Sequence, residues 1–411
     1  MRQSRSVGWR SAVRRALAFV LAMGTLYLAC WIFINAPTRF WLPVSVGAPE
    51  VSAWLALGSL AAMLLSIPDA RERLTGRFIL GAAIMALMMS LTPLARFPFT
   101  ARRFDAAMRA GLGGDPLRDV PPAVRAHMRA RPLNIGELFG HVDLGVGARF
   151  ARDIPFSTIT ATPLTMDIYR PPRPGSYPAV VQIYGGAWQR GKPADNGKFA
   201  EWLATRGYVV FAVDYRHAPG ARWPAQLDDV RLALAWIRDH ASEYEADTSR
   251  MALIGRSAGA HLALLAAYTD GPVPVRAVVS YYGPVDLVDA YEHPPHPDPL
   301  RIRTVEETLF GGTPGDMPDA YRAASPLTYA TRVLPPTLLV HGSRDHIVEL
   351  RYAVRLRDRL VATGTTAVLL DIPWADHAFD EVFNGPSSQL ALYHTERFLA
   401  WAMAAPAPAV R

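Results

Sequence analysis

Residues Gly255-Arg256-Ser257-Ala258-Gly259 form a Gly-x-Ser-x-Gly turn between an apolar run, Met251 to Ile254, and an Ala/Leu-rich run, Ala258 to Tyr268. A serine hydroxyl attacks a carbonyl when it stands exposed on a strained strand-to-helix turn whose small neighbours admit a base and a substrate. The pentapeptide alone is common by chance, so its meaning depends on the flanks, and composition predicts a strand before it and a helix after it. Nucleophilic attack also needs a base and an acid, which in this chain order follow the serine. His341-Gly342-Ser343-Arg344-Asp345 follows the predicted strand Thr337 to Val340, and Asp376-His377 follows the predicted strand Ala367 to Ile372. Asp345 would accept the ring N–H of His377 and fix its tautomer, leaving the other nitrogen to take the Ser257 proton. Asp376 is an alternative acid, although a residue adjacent to His377 is badly placed to orient that ring. After the predicted strand ending at Tyr184 comes Gly185-Gly186-Ala187-Trp188. Backbone N–H groups of Gly185, Gly186 and Ala187, with that of Ala258, could stabilise a tetrahedral oxyanion. Against these readings, a glycine pair or an aspartate after a strand often makes only a turn, and a lone histidine often only packs.

Other reactive groups have simpler readings. His261, one helical turn after Ser257, is expected to pack. His293, His296 and Asp298 stand among prolines that stiffen the segment and disfavour a metal site. Cys30, the single cysteine, excludes an intrachain disulfide or a cysteine metal site. No metal or organic cofactor is expected.

A turn of this kind requires a sheet to hold it. From Ala151 onward short apolar runs alternate with helical segments. The predicted strands are 164–169, 179–184, 208–213, 251–254, 275–281, 337–340 and 367–372; the predicted helices include 199–206, 224–240, 258–268, 349–362 and 390–403. Such alternation predicts an α/β fold, a mostly parallel eight-stranded sheet covered by helices on both faces, with reactive groups on loops beyond the carboxyl ends of its strands. The catalytic domain is placed at residues 151–405. Residues Tyr291 to Ser325 are expected to form a variable segment over the site, with Leu309 and Phe310 as apolar wall, and Trp188, Tyr281 and Tyr282 are expected near the substrate.

Ahead of this domain lies an all-α region, residues 1–96. Ala16 to Ile34, Val51 to Ile67 and Phe78 to Ala95 contain no charged residue, and at about 17 to 19 residues each approaches the length that crosses a bilayer. A cleaved signal peptide is the alternative for the first, but two further apolar segments follow it. Arg2, Arg5, Arg10, Arg14 and Arg15 place the N-terminus inside, and three crossings place the catalytic domain on the periplasmic or extracellular face. Arg96, Arg102, Arg103 and Arg109 oppose this, although long domains translocate regardless of charge. The formal charge of +7 is read as topology and lipid-surface signal rather than nucleic-acid binding, since the basic residues concentrate in these flanks. Residues 97–150 are read as a connector with short amphipathic helices near the membrane surface.

From about Asp153 to Met403 the chain resembles the α/β-hydrolase superfamily, specifically small carboxylesterases with a His-Gly-Gly-x-Trp loop of the feruloyl-esterase and prenylcysteine-methylesterase types, with kynurenine formamidases as close relatives. The matching residues are Tyr184 to Trp188, Val213-Asp-Tyr-Arg216, Ala218-Pro219, Gly255 to Gly259, Leu309 to Pro314 with Ala324-Ser-Pro326, His341 to Asp345, and His377. Two residues depart from the pattern. Tyr184 stands where the family usually has histidine, and Arg256 replaces a usual Asp, Glu or Gln and could bring positive charge to the pocket mouth if it is not locally paired. The resemblance implies a serine hydrolase cleaving carboxylic esters; with the apolar segments it is expected to be membrane-anchored, and the bilayer tether suggests a small or lipid-like ester, apolar or derived from the cell envelope. An amidase or formamidase using the same groups, a catalytically silent binding module, and a transporter-like role are the other readings; the last lacks intramembrane charges to line a path.

Overall fold

The structure, a computed structural model, describes residues 2–158 and 163–404; the expected domain end at residue 405 lies outside them. Four helices come first: α1 (Arg2–Cys30), α2 (Leu42–Glu50), α3 (Ser52–Ala70) and α4 (Leu74–Leu112). By length and composition α1, α3 and α4 could each cross a membrane. They meet along a seam of mostly small side chains, Ala18, Ala22, Ala62 and Ala83 with Ile79, which lets the helix backbones approach closely. At one end of this bundle Arg14 pairs with Asp69 at 2.8 Å; at the other, α2 lies against the C-terminal domain.

Two expectations about this region are corrected. The connector does not begin at residue 97, because α4 continues to Leu112. Phe97, Ala101, Phe104, Met108 and Leu112 recur every three or four residues and are buried against the domain, beside Trp374, Phe398 and Met403. That stripe is amphipathic as expected, but its apolar face is covered by protein rather than lipid. Arg103 is accordingly spent on the domain, donating to the Asp371 carbonyl at 2.5 Å. The actual connector holds two short helices, α5 (Pro122–Arg125) and α6 (Ile135–Phe139).

The domain is a single sheet of eight strands in the order β1-β2-β4-β3-β5-β6-β7-β8. These are β1 (Arg149–Ser157), β2 (Leu164–Arg170), β3 (Tyr177–Ile183), β4 (Val209–Val213), β5 (Ala246–Arg256), β6 (Ala277–Tyr281), β7 (Thr337–Gly342) and β8 (Ala367–Ile372). β1 and β2 run antiparallel at one edge, and all pairings from β4 to β8 are parallel. Helices α7 (Gly197–Ala204), α8 (Ala225–His240), α9 (Ala258–Tyr268), α10 (Leu287–Glu292), α11 (Ile302–Phe310), α12 (Pro318–Ala323), α13 (Leu350–Ala362) and α14 (Pro386–Ala404) complete it. Two apolar layers cover the two faces of the sheet. One holds Val181, Leu253 and Val278 with Leu262 of α9, and the other Val180, Ile254 and Val279 with Phe199 of α7 and Phe398 of α14. The central strands are thus buried on both sides, which is why they read as unbroken apolar runs.

Candidate active site

The carboxyl ends of β3, β5, β7 and β8 deliver four loops to one place. Ser257 sits between β5 and α9 at φ 51°, ψ −122°, a conformation that costs on the order of 1–3 kcal/mol for a non-glycine residue and is held by its surroundings. Its N–H donates to the Tyr281 carbonyl at 2.9 Å, and its own carbonyl accepts from His261 N at 3.1 Å. The flanking glycines are required by close approach. A Cβ on Gly255 would lie 2.2 Å from the Gly259 carbonyl oxygen, and one on Gly259 would lie 2.3 Å from the Ile183 carbonyl oxygen.

His377 reaches Ser257 from the loop after β8, its Nε2 2.9 Å from Ser257 Oγ. Its Nδ1 lies 2.8 Å from Asp345 Oδ2, so in the tautomer with the proton on Nδ1 the serine hydroxyl donates to Nε2. The other Asp345 oxygen accepts the N–H groups of Ile347 at 2.9 Å and Val348 at 2.8 Å. Burial alone would raise the Asp345 carboxyl, but His377 and His341 outweigh it and hold the group well below the usual carboxylate range. Burial likewise would lower His377, and the facing Asp345 charge and hydrogen bond reverse this, leaving the imidazole raised.

Asp376 does something else. Its Oδ1 accepts the His377 N–H at 2.7 Å and faces His346 Nδ1 at 2.9 Å, while its Oδ2 accepts the Ser45 hydroxyl of α2 at 2.6 Å. It therefore fixes the backbone of the histidine loop, not the ring. Sequence reasoning found no role for α2, whose only hint is a short Pro- and Gly-containing stretch between two apolar spans. Glu50, at its end, accepts the Ser387 hydroxyl at 2.6 Å and the Ser387 N–H at 3.0 Å at the start of α14. Burial pushes the Glu50 carboxyl up to about 8.

The Gly185-Gly186-Ala187 loop passes directly over the serine turn. A Cβ on Gly185 would lie 2.8 Å from the Arg256 carbonyl oxygen and 3.2 Å from Ser257 Cβ. Ala187 and Trp188 both adopt positive φ, 55° and 58°. Ala187, Trp188, Ser257 and Ala258 line one cavity together. Tyr184 pins this loop from behind: its ring stacks on Tyr215 at 4.5 Å and its hydroxyl donates to Asp214 at 2.5 Å. A phenol with those partners can anchor the loop where the resemblance expects histidine. His261 also supports it. Its Nδ1 accepts the Trp188 indole N–H at 3.2 Å, and its Nε2 faces the Ala324 carbonyl at 2.6 Å. Burial pushes this imidazole down to about 4, consistent with a neutral packing histidine.

Other expectations are placed differently by the structure. Arg256 brings no charge to the pocket mouth. It is 3% exposed, donates from Nε to Asp380 at 2.5 Å, and lies over the Phe199 ring at 4.4 Å. Tyr281 points away from the cavity into the layer under α14, its hydroxyl 2.8 Å from Thr395 Oγ1. Tyr282 is buried with its ring 4.7 Å from that of His377, and its hydroxyl donates to Asp380. Neither tyrosine lines the cavity around Ser257, whereas Trp188 does. Leu309 and Phe310 are buried in the core, Phe310 stacking on Tyr321 at 3.9 Å. The cavity wall comes instead from Leu300, Ile302 and Val305, with Ile347 and Val348 from the loop after β7. Asp298 caps α11, accepting the Ile302 N–H at 2.9 Å. Among the described residues no group of three or more His, Cys, Asp or Glu side chains could hold a metal ion.

Comparison with known proteins agrees with this architecture. Residues 166–360 match the BD-FAE family. The chain is 35% identical over 234 residues to esterase LipC of Mycobacterium tuberculosis, covering 52% of this chain and 57% of that protein. It is 27% identical over 224 residues to the isoprenylcysteine alpha-carbonyl methylesterase ICME of Arabidopsis thaliana, covering 50% and 51%. Among solved structures, a bacterial heroin esterase superposes with a TM-score of 0.56 at 23% identity, over 70% of this chain and 99% of that one, a likeness of fold. The chain spans little more than half the length of the curated relatives it matches. By sheet order, matching segment and relatives, the C-terminal domain has the α/β-hydrolase fold and is similar to carboxylesterases.

Proposed function

We propose that the protein is a membrane-anchored serine hydrolase that cleaves carboxylic esters through an acyl-enzyme. The observation that carries this reading is the line of hydrogen bonds Ser257 Oγ to His377 Nε2, 2.9 Å, and His377 Nδ1 to Asp345 Oδ2, 2.8 Å, beside a cavity bordered by Ala187 and Ala258. Ser257 Oγ attacks the ester carbonyl while His377 takes its proton; Asp345 stabilises the resulting imidazolium. The N–H groups of Gly186, Ala187 and Ala258 stabilise the oxyanion, with that of Gly185 beside them on the same loop. Collapse of the tetrahedral intermediate expels the alcohol, which takes the proton from His377. Water, deprotonated by His377, then attacks the acyl-serine, and the acid leaves.

The cavity is mostly apolar and narrow, about 40 Å³, room for only a few water-sized spheres. It favours a short group on the side of the carbonyl that enters it, with any bulky, envelope-derived part of the ester lying outside. Three crossings with an arginine-rich N-terminus inside would carry the domain to the periplasmic or extracellular face of the inner or plasma membrane. The test is fluorophosphonate labelling of intact and broken cells, with Ser257→Ala as control. Labelling is expected in the wild type and absent in the variant; labelling that persists in the variant refutes the nucleophile. With a probe that cannot cross the inner membrane, labelling only after breakage refutes the outward orientation.

A further inference from the structure

The wall of the cavity beside Ser257 contains one carboxyl group. α11 presents Ile302, Val305, Glu306 and Leu309 on one face, and Glu306 sits in the middle of that apolar stripe. It is 2% exposed and lines the same cavity as Ser257, Ala258 and Trp188. Its Oε2 is buried and has no hydrogen-bond partner among the described residues. The neighbouring Tyr352, also on the cavity wall, accepts from Arg351 at 2.7 Å, so it is already engaged. Burial, aided by the charge of Asp286, holds the Glu306 carboxyl well above the usual range.

A buried polar atom without a partner is costly unless something arrives to satisfy it. Nothing in the relay of Ser257, His377 and Asp345 needs this group. A neutral carboxyl both donates and accepts a hydrogen bond, and the ligand group that does the same in a small volume is a hydroxyl. An ammonium would instead have to be desolvated and would force Glu306 to ionise in an apolar wall.

Resting on the esterase reading, we propose that Glu306 is a specificity residue: the part of the substrate that fills the cavity carries a hydroxyl, which hydrogen-bonds Glu306 when the ester carbonyl is over Ser257. The rest of the wall accepts the hydrocarbon around it. A site that leaves a buried polar atom unpaired discriminates against the analogue lacking the hydroxyl more sharply than an apolar pocket discriminates by a methylene.

The experiment uses the full-length protein in detergent micelles and two matched pairs, one for each side of the ester. These are p-nitrophenyl butyrate against p-nitrophenyl 3-hydroxybutyrate, and butyl acetate against 3-hydroxybutyl acetate. The wild type is expected to give a higher kcat/KM for the hydroxylated member of one pair. Glu306→Leu is expected to lower that ratio by roughly tenfold, while Glu306→Gln, which still donates and accepts, keeps it within a few-fold. An unchanged ratio in the leucine variant overturns the inference. If that variant does not fold, the wild type decides: absence of hydroxyl preference in both pairs overturns it equally. Hydrolysis of the plain esters with no Glu306 effect leaves the esterase reading standing and removes only this inference; failure to cleave any of the four esters removes both.

Discussion

Ser45→Ala is the most direct probe of how the N-terminal helices and the site depend on each other. Ser45 and Asp376 are each 2% exposed, and their hydrogen bond is 2.6 Å long. A hydrogen bond to a carboxylate contributes about 1.5–3 kcal/mol, and its loss leaves Asp376 Oδ2 buried without that donor. Taking about 2 kcal/mol, and about 2–4 °C per kcal/mol for a domain of roughly 250 residues, the apparent melting midpoint should fall by about 4–8 °C. Because Asp376 also holds the His377 N–H at 2.7 Å, the loss should reach chemistry as well as stability. The rate of Ser257 acylation should fall several-fold, with kcat affected more than KM, and Ser45→Thr should restore most of it. The assay is tryptophan-fluorescence melting in detergent together with stopped-flow ester acylation. Ser59→Ala is the control, since that hydroxyl bonds to the Leu55 carbonyl of its own helix, at 2.7 Å. A Ser45→Ala protein with wild-type midpoint and wild-type acylation rate would refute the idea that α2 buttresses the histidine loop.

Asp345→Asn should lower kcat/KM by about 10⁴-fold, as loss of the orienting acid does in such relays. Its pH profile gives a second readout: His377 acts as base only when neutral, and Asp345 raises it above its ordinary 6.5. Without that charge burial dominates, so the acid limb of the residual activity should move to lower pH; a limb that stays in place would contradict the assignment. For Glu50, the folded carboxyl at about 8 against 4.5 in the unfolded chain means that the folded state binds more protons between those values. Stability should therefore decline as pH rises from about 4.5 to about 8 and level off above, by at most about 5 kcal/mol. Glu50→Gln should flatten that dependence in melting midpoints measured across the window; a slope equal to the wild type's would show that Glu50 is not its source.

The parts of the molecule legible in the sequence are those whose constraints are local. Val209 to Val213, buried at every position, had to be an apolar run because the strand is covered on both faces. Ser257 is recognisable because a strand, two close-approach glycines and a helix must all surround it in sequence. β1 was not legible: Arg149 to Ser157 is an edge strand bearing Arg152, Asp153 and Pro155, with partial burial and register shifts against β2. Edge strands carry such residues without a clean alternation. Tyr281 and Tyr282 were expected together at the substrate, but Tyr281 ends β6 facing the α14 layer and Tyr282 turns under His377. Tyr282 leaves the strand at φ 43°, so strand alternation fails there and both rings pack against Phe379 beneath the site rather than in the cavity. Glu306 has a usable signal, a carboxylate interrupting the stripe Ile302, Val305 and Leu309.

The contacts of α2 and α4 bear on whether the hydrolase domain can be treated apart from its helices. Removing residues before the domain would uncover the stripe Phe97, Ala101, Phe104, Met108 and Leu112. It would also strip Asp376 of Ser45 and Ser387 of Glu50. The first is a loss of apolar burial on the β8 side of the sheet, and the second loosens the loop that carries His377. Arg344, on the loop that carries Asp345, makes a further link, donating to Asn35 at 2.9 Å. Both the acid and the base of the relay are thus tied to the segment between α1 and α3. That segment and the domain lie at the same end of the helix bundle, so these ties form only when α1, α3 and α4 are assembled side by side. Ordering of the relay is in this way coupled to assembly of the helices, and a shortened chain lacking them should acylate more slowly even where its sheet is intact.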